Sequence, residues 1–285
     1  MSTKSKKSAP SKKSKASSKK SVRWWLPWSK IGWPRRVVRI LWMSCAALWL
    51  STVLIVLLYR FVTPPLTPLM VQRFFQQFND KDRSVHFECE HVSINEISQH
   101  LIDAVVYSED GAFMCHGGFD FKQLRLSYLE NKKGRRIRGG STISQQTAKN
   151  AFLPHTRSML RKAVEAHFTI LIETFWSKKR IMEVYLNIIE FGDGIYGCEA
   201  AAQHYFGKSA KNLTKREAAQ LAVCLPAPLR MNPAKHGPYF ERQTGVVMKR
   251  LEWGNVKLDK PKSECSKENK ETFVDFVLWF LFKRK

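Results

Sequence analysis

The sequence predicts an all-α, mostly helical fold that follows a single N-terminal transmembrane helix. Two observations support this prediction: an uncharged run of 20 residues from Ile40 to Tyr59, and later segments whose apolar residues recur at helical spacing. No segment shows the sustained alternation of apolar and polar residues that is typical of a β-strand. A chain of 285 residues can form one sizeable core with appendages at its ends.

The apolar run is long enough to cross a membrane, since 20 helical residues at about 1.5 Å each span the roughly 30 Å hydrocarbon core. A cleaved signal peptide fits poorly, because the basic region before the run is too long and no small-residue cleavage site follows it. A buried core helix seldom runs this far without a polar face. Arg35, Arg36 and Arg39 precede the run, so the positive-inside rule predicts a cytoplasmic N-terminus.

The basic charge of the chain is concentrated before this run. The net charge is +24, and residues 1–39 contain 13 Lys or Arg and no acidic residue, which leaves 35 basic and 24 acidic residues, or +11, for the rest. Because the polybasic segment lies next to a membrane span, it is expected to bind the anionic inner leaflet rather than nucleic acid. The alternative is that the segment is a solvated tail without a partner. The predicted regions are a basic cytoplasmic tail (1–36), the anchor (37–60), a membrane-proximal linker (61–96), a catalytic domain (97–255) and a C-terminal extension (256–285).

Four helices are predicted in the region beyond the membrane. Apolar residues repeat at helical spacing from Ile97 to a stop at Glu109, from Leu160 to Phe175 and from Ile181 to Ile188. A fourth helix follows Thr214, which is a suitable N-cap because Glu217 comes three residues later.

Other segments leave alternatives open. Gly134–Gly140 and Phe191–Gly197 are glycine-rich and are predicted to be loops of special conformation. The apolar segment Phe273–Leu281 is too short to span a membrane, and either lies on the membrane surface or docks on the core as a terminal helix. The six cysteines show no metal-ligand spacing; most are interpreted as small buried apolar residues, and their pairing cannot be deduced.

Two carboxylates are candidates for glycosyl-transfer chemistry, which needs a base for the attacking hydroxyl and positive charge for a departing phosphate. Glu109 ends a predicted helix and enters a glycine-rich loop; most carboxylates at such positions are only solvated. Glu165 lies with Arg161 at the edge of an apolar helix face. An ordinary ion pair explains this equally well, although the basic residue comes first, which is the weaker order in a helix.

A third candidate is the stretch Arg138–Asn150, where a Gly-Gly pair precedes hydroxyl, amide and ammonium groups. Thr142, Gln146 and Lys149 can share one helical face, and a helix N-terminus favours anions. From these residues alone, a capped surface helix is a better interpretation than a phosphate or sugar site.

Taken together, the motifs resemble those of the bacterial peptidoglycan glycosyltransferases. EDGAFMCHGGFD (Glu109–Asp120) resembles the first motif of that family, GGSTISQQTAKN (Gly139–Asn150) the second, Arg161-Lys162-x-x-Glu165 the third, and the segment from Lys178 to Asn187 the fourth. Gly197, Ala200–Ala202, Tyr205–Lys208 and Leu225–Pro228 are similar to its last segment. Five motifs in the same order make this resemblance highly specific.

The resemblance implies a lysozyme-like fold and a polymerase of cell-wall glycan. It implies that Glu109 is the general base that deprotonates the GlcNAc 4-hydroxyl of lipid II, and that Glu165 orients the acceptor or supports the diphosphate. It further implies a substrate-binding set, with Asp110, Phe113 and His116 shaping the site, Thr142, Gln146 and Asn150 contacting the substrate, and Arg138, Lys149, Arg161 and Lys162 facing the phosphates.

The same resemblance sets the expected cofactor, partners and location. A divalent cation, Mg or Mn, is expected on the diphosphate, although no metal-ligand cluster in the sequence indicates it independently. The expected partners are lipid II, the growing glycan chain, the membrane and other cell-wall synthesis proteins, and the expected location is the inner membrane with the catalytic domain on the periplasmic side.

Three alternatives bound this interpretation. The full transpeptidase motif set, S-x-x-K, S-x-N and K-T-G, does not occur, so a monofunctional enzyme is expected. A lysozyme-like enzyme that cleaves glycan would need no cationic wall for a diphosphate. A non-catalytic scaffold of the cell-wall machinery would not need Glu109 and Glu165.

Overall fold

The computed structural model describes residues 33–80, 84–132, 140–156, 158–234, 237–259, 265 and 272–282. The basic tail before Trp33, the site candidate Arg138 and the loop 134–139 lie outside these residues. The chain divides into two compact units, residues 1–50 and 51–285, with the boundary inside the first helix.

The described residues are mostly helical, as predicted. Their α-helices are α1 Trp33–Tyr59, α2 Pro68–Phe78, α3 Gln99–Glu109, α4 Phe121–Lys132, α5 Ile143–Phe152, α6 Met159–Phe175, α7 Lys178–Ile188, α8 Cys198–Phe206, α9 Lys215–Cys224, α10 Pro238–Arg250 and α11 Phe273–Phe282. Short 3-10 helices cover Ile94–Glu96, Ala210–Asn212 and Leu251–Trp253. All four helices predicted beyond the membrane span are present.

Helix α1 contains the predicted membrane span. Arg35–Tyr59 is long and apolar enough to cross a bilayer, and 6% of its most apolar stretch is buried. The core helix of a soluble protein would be mostly buried instead. Length, composition and exposure therefore fit a membrane anchor.

Hydroxyl side chains explain where the central helices begin. Each accepts a hydrogen bond from a backbone N–H in the first turn of its helix, which supplies a partner that the helix itself cannot provide. These N-caps are Ser98 for α3, Thr142 for α5, Ser158 for α6, Ser177 for α7 and Thr214 for α9. At Thr214 the predicted capping box with Glu217 is confirmed.

Two helix groups form the core of the second unit. Helix α5 packs against α6 and α7, and α3 packs against α9 and α10. Leu101 and Val105 of α3 are fully buried, and each such side chain contributes about 1.5–3 kcal/mol through burial. In α6, Phe168 is buried as expected from the apolar spacing, but Leu160 is 77% exposed. Spacing predicts the helix without showing which of its turns is covered.

A small sheet accompanies the helices. Strand β1 (Glu88–Cys89) pairs in parallel with β3 (Ile195–Tyr196), and β3 pairs antiparallel with β2 (Glu190–Gly192). Strands of two or three residues are too short to show alternation of apolar and polar residues, so they could not be predicted from the sequence. The predicted loop Phe191–Gly197 is largely the β2–β3 hairpin. Its Gly194 has a φ of +77°, and a Cβ atom there would lie 2.0 Å from the backbone oxygen of His86.

The C-terminal extension packs on α4 and is tied to the loop that follows Glu109. The Phe276 ring lies 5.7 Å from that of Phe121, so the extension contacts the rest of the chain through α4. That its exposed residues lie on the membrane surface stays a prediction. Cys115 and Cys265 form a disulfide that the sequence could not assign. Cys198 and Cys224 are buried free thiols, as predicted, whereas Cys45 is exposed and Cys89 is partly buried. The prediction that most of the six cysteines are small buried apolar residues is therefore wrong, since two form the disulfide and two are not buried.

Candidate active site

Glu109 is the last residue of α3, at the point where the chain leaves the helix. The next residue, Asp110, has φ −156° and ψ 72°, which turns the backbone away from the helical path. The Glu109 carboxyl group is therefore carried by a helix whose middle, from Leu101 to Val106, is buried, while Glu109 itself is partly exposed. A substrate hydroxyl can reach it.

Asp110 and His116 fasten the loop after Glu109 to the start of α5. The His116 Nδ1 accepts a hydrogen bond from the Gly118 N–H at 3.0 Å, so its Nε2 carries the proton and donates to the Asp110 carboxylate at 3.0 Å. The same carboxylate accepts from the Ile143 N–H at 2.9 Å, in the first turn of α5. Both side chains are buried, so their contacts position the loop.

Gly118 and Thr142 bring this loop close to two helices. Gly118 has a φ of +96°, and a Cβ atom would lie 2.7 Å from the Thr169 side chain of α6. The Thr142 hydroxyl donates to the Gly118 carbonyl at 2.6 Å and caps α5 by accepting from the Gln145 N–H. The first two motifs of the sequence thus meet through a glycine that has no room for a side chain.

Gln146 links Glu109 to the fully buried Tyr185 of α7. The Tyr185 hydroxyl donates to Gln146 Oε1 at 3.0 Å, and this fixes the amide so that Gln146 Nε2 donates to Glu109 Oε2 at 2.8 Å. Burial raises the pKa of the Glu109 carboxyl above its usual range and Asp110 raises it further, whereas the Gln146 hydrogen bond and the Lys149 charge oppose the rise. A carboxyl group with a raised pKa is suited to proton transfer near neutral pH.

Lys149 lies one turn further along α5, in the electrostatic field of both carboxylates. Burial lowers the pKa of its ammonium group, the Arg161 and Lys162 charges lower it further, and Glu165 and Glu109 oppose them. Two acidic residues 56 positions apart in sequence thus act on one cation. The structure brings the second and third motifs together at Lys149.

Glu165 is buried on α6 beneath two cations of its own helix. Arg161 Nη1 donates to Glu165 Oε2 at 2.8 Å, and Lys162 Nζ to Oε1 at 2.5 Å. The Glu165 side chain is 3% exposed, whereas that of Lys162 is 44% exposed. The carboxylate therefore holds two cations in place, and Lys162 faces solvent.

The remaining candidates differ in their accessibility. Phe113 is fully buried, with Lys178 Nζ 4.5 Å from the centre of its ring. Asn150 is also buried, and its side-chain nitrogen makes no hydrogen bond within the described part of the chain. Gln146, Lys149 and Glu109 are the site residues of the first two motifs whose side chains remain partly exposed.

Known proteins resemble most of the chain. A family model described as Transglycosylase matches residues 75–252. The chain belongs to the transglycosylase family. It is 49% identical over 216 residues to the biosynthetic peptidoglycan transglycosylase of Caulobacter vibrioides, a match that covers 75% of this chain and 91% of the relative.

Two further relatives have the same description. The biosynthetic peptidoglycan transglycosylase of Bacteroides thetaiotaomicron is 47% identical over 70% of this chain and 80% of its own length. That of Xanthomonas campestris is 42% identical over 76% of this chain and 89% of its own length. The family predicted from the five motifs is thereby confirmed.

Several residues of this transglycosylase site were not singled out from the sequence. Tyr185 orients Gln146, and its position within the fourth motif was its only signal. Glu173 of α6 accepts from Ser144 of α5 and from Lys178 of α7, the latter at 2.6 Å, so one carboxylate joins three helices. Nothing in the spacing of these residues indicates the contact.

An ion pair joins α2 to the sheet, and the sequence did not predict it. Arg73 and Glu190 lie 3.2 Å apart, and the Glu190 side chain is buried. Burial raises the pKa of the Glu190 carboxyl, and Arg73 opposes the rise; Lys149 opposes it more weakly. The charge of Lys149 thus acts on a carboxyl group of the sheet as well as on Glu109.

The divalent cation expected from the resemblance has no protein cage at this site. Among the described residues, one group of three His, Cys, Asp or Glu side chains lies close enough together to hold a metal ion. This group includes neither Glu109 nor Glu165. Both oxygens of Glu165 are already bonded to cations. The protein side chains described at this site do not by themselves fit a metal, and no step below depends on one.

Proposed function

We propose that this transglycosylase polymerises peptidoglycan, transferring the growing lipid-linked chain to the GlcNAc 4-hydroxyl of lipid II. The observation that carries the proposal is a partly exposed carboxyl of raised pKa, Glu109, facing a cation, Lys149, that a second carboxylate, Glu165, also attracts. This arrangement supplies a base on one side and positive charge on the other. Glycosyl transfer from a sugar diphosphate needs both.

In the proposed reaction Glu109 accepts the proton of the acceptor 4-hydroxyl as its oxygen attacks C1 of the MurNAc at the end of the growing chain. The bond between C1 and the diphosphate oxygen breaks with inversion, and undecaprenyl diphosphate leaves. Gln146 orients the Glu109 carboxylate by donating a hydrogen bond to it. Tyr185 in turn orients the Gln146 amide by donating a hydrogen bond to its oxygen. Proton transfer by a positioned group of this kind contributes roughly 10²–10⁴-fold.

The leaving diphosphate is assigned to the cationic side of the site. Lys149, Arg161 and Lys162 lie together there, and Glu165 holds the last two by direct hydrogen bonds. Arg138 is assigned to the same side from its motif. Glu165 is thus a positioning residue, since its side chain is buried and both of its oxygens are engaged.

The other members of the predicted set receive supporting roles. Asp110, His116 and Phe113 shape the loop that carries the base, and Thr142 anchors this loop to α5. Asn150 is proposed as a substrate contact that becomes accessible when substrate enters. A divalent cation, if used, would take most of its ligands from the diphosphate.

A membrane anchor would place this site beside its lipid-linked substrates. We propose that α1 spans the inner membrane once, with the basic N-terminus in the cytoplasm and the catalytic domain in the periplasm. The length and exposure of α1 and the basic residues that precede it support this topology. Protection of residues after Arg60 from protease added on the cytoplasmic side is the expected result.

The test is a lipid II polymerisation assay with purified full-length protein in detergent. The wild-type chain should produce long glycan strands, and Glu109→Gln, which keeps the shape of the side chain but cannot accept the proton, should lose at least about 100-fold in rate. Glu252→Gln is a matched control, because Glu252 is exposed in a separate 3-10 helix. Near-native polymerisation by Glu109→Gln would overturn the base assignment.

The same assay separates the alternatives. A glycan-cleaving enzyme would shorten preformed strands and leave lipid II unchanged. A scaffold would do neither. The cationic side of the site favours transfer over cleavage, because cleaving a glycan between sugars releases no diphosphate.

A further inference from the structure

The fold places two histidines and a glutamate together outside the candidate active site. His86 and Glu88 lie on the extended segment that leads into and forms β1, and His204 lies near the end of α8. Glu88 is held in place by its pairing with Ile195 of β3 and by its N–H, which donates to the Gly194 carbonyl at 2.8 Å. The three side chains belong to different elements from those that carry Glu109, Lys149 and Glu165.

Two distances within this cluster are close to the edge length of a zinc coordination tetrahedron. His86 Nε2 is 3.1 Å from Glu88 Oε1, and His204 Nδ1 is 3.3 Å from the same carboxylate. One ligand atom from each residue lies within 4.8 Å of the other two. With bonds of about 2.0–2.1 Å to zinc, adjacent ligand atoms of a tetrahedron are about 3.3 Å apart.

The Nε2 atom of His86 is a candidate ligand atom in this cluster. This atom is shielded from solvent and makes no hydrogen bond within the described residues, although the Glu88 oxygen lies in range. The nitrogen is therefore not aimed along a hydrogen bond to the carboxylate. A shielded ring nitrogen with no partner loses favourable interactions unless something else binds it.

The donor set also restricts the chemistry of the ligand. Two imidazole nitrogens and one carboxylate suit zinc and similar transition metals, whereas calcium and magnesium prefer oxygen donors. The three side chains are 37–41% exposed, so a metal could enter and retain a water molecule as its fourth ligand.

We propose that His86, Glu88 and His204 form a zinc-type divalent metal site with three protein ligands and one open position. The ion would join the segment before α3 to α8, two parts of the chain that are more than 100 residues apart in sequence. Binding to the folded state alone would raise the thermal stability of the chain. The site is distinct from any cation that accompanies the diphosphate.

The test is a zinc titration of the full-length protein, purified in detergent without a histidine tag and stripped with chelator. Isothermal titration calorimetry should give one zinc per chain, and zinc should raise the midpoint of thermal unfolding. His86→Ala and His204→Ala should each weaken binding by at least about 100-fold and abolish the shift in midpoint, because each removes a direct ligand. Magnesium at the same concentration should produce no shift.

A second pair of potential ligands nearby provides the matched control. Cys89 Sγ and His91 Nε2 lie 3.4 Å apart in the same extended segment. Their residue numbers are odd, whereas those of His86 and Glu88 are even, and successive side chains of an extended segment point to opposite faces. The double variant Cys89→Ser with His91→Ala should bind zinc as the wild type does. The proposal is overturned by substoichiometric binding in the wild type, by unchanged binding in His86→Ala, or by binding that is lost in the control variant.

Loss of folding must be distinguished from loss of a ligand. The thermal unfolding midpoint of each variant without metal is compared with that of the stripped wild type, and His86→Gln provides a second, more conservative replacement. A variant that unfolds with the wild-type midpoint but no longer responds to zinc supports the site. A response to zinc that persists in His86→Gln and His204→Ala overturns it.

Discussion

Replacing Gln146 with Met should weaken the enzyme mainly at low pH. The substitution keeps the length of the side chain but removes the donor that Gln146 Nε2 presents to Glu109 Oε2 at 2.8 Å. Burial already raises the pKa of the Glu109 carboxyl, and this hydrogen bond is the largest influence that opposes the rise. Without the bond, the ionised form loses support, so the pKa of Glu109 should rise further.

The size of the effect follows from the type of bond. A hydrogen bond to a charged acceptor contributes about 1.5–3 kcal/mol, and about 1.4 kcal/mol changes an equilibrium tenfold. The fraction of ionised Glu109 on the acidic limb of the pH–rate profile should therefore fall by roughly tenfold or more. A base works only when ionised, so the limb where activity is lost as pH falls should move to higher pH. The rate on the plateau should change less.

The measurement is the initial rate of lipid II polymerisation across pH for wild type and Gln146→Met. Tyr185→Phe is the control, because it removes the bond from Tyr185 to Gln146 Oε1 but leaves the donor to Glu109 in place. Its acidic limb should move less than that of Gln146→Met. An acidic limb that stays at the wild-type pH in Gln146→Met would refute the role of this amide, and a plateau rate reduced as much as the acidic limb would point to lost positioning instead.

Three further predictions concern other contacts. Gly118→Ala should lower the free energy of unfolding by about 2 kcal/mol or more, because of the positive φ and a contact of 2.7 Å at the new Cβ. Gly111→Ala should change it by less than about 0.5 kcal/mol, because a Cβ atom there would have no described atom beyond its chain neighbours within 4 Å. Equal unfolding midpoints for the two variants would contradict this reasoning. Reducing the Cys115–Cys265 disulfide, which closes a loop across 150 residues, should lower the free energy of unfolding by up to about 5 kcal/mol and so lower the unfolding midpoint. A midpoint unaffected by reductant would contradict the presence of this bond. Lys149→Met should reduce polymerisation by roughly 100-fold through loss of the shared cation, and a rate within about threefold of wild type would rule out that role.

Residues close together in sequence account for what could be predicted. Helical spacing predicted α3 ending at Glu109, and the Thr214–Glu217 spacing predicted a capping box that is present. Each strand has only two or three residues, which is too few to show an alternation of apolar and polar residues. The sheet could therefore not be predicted from the sequence. Glu165 appeared to lie at the edge of an apolar face, yet its side chain is 3% exposed because α5 packs over this part of α6.

The sequence by itself predicted the apolar anchor segment, four of the helices that follow it, the Thr214 cap and the family, because each of these depends on residues within a few positions of one another or on motif order. The tertiary structure alone decided which way the Gln146 amide points, that Lys149 lies in the field of two distant carboxylates, and that Cys115 pairs with Cys265. It also brought His86 and Glu88 to His204. Such contacts depend on how whole helices pack against one another. The burial that results from this packing raises the pKa of Glu109 and positions its hydrogen-bond partners.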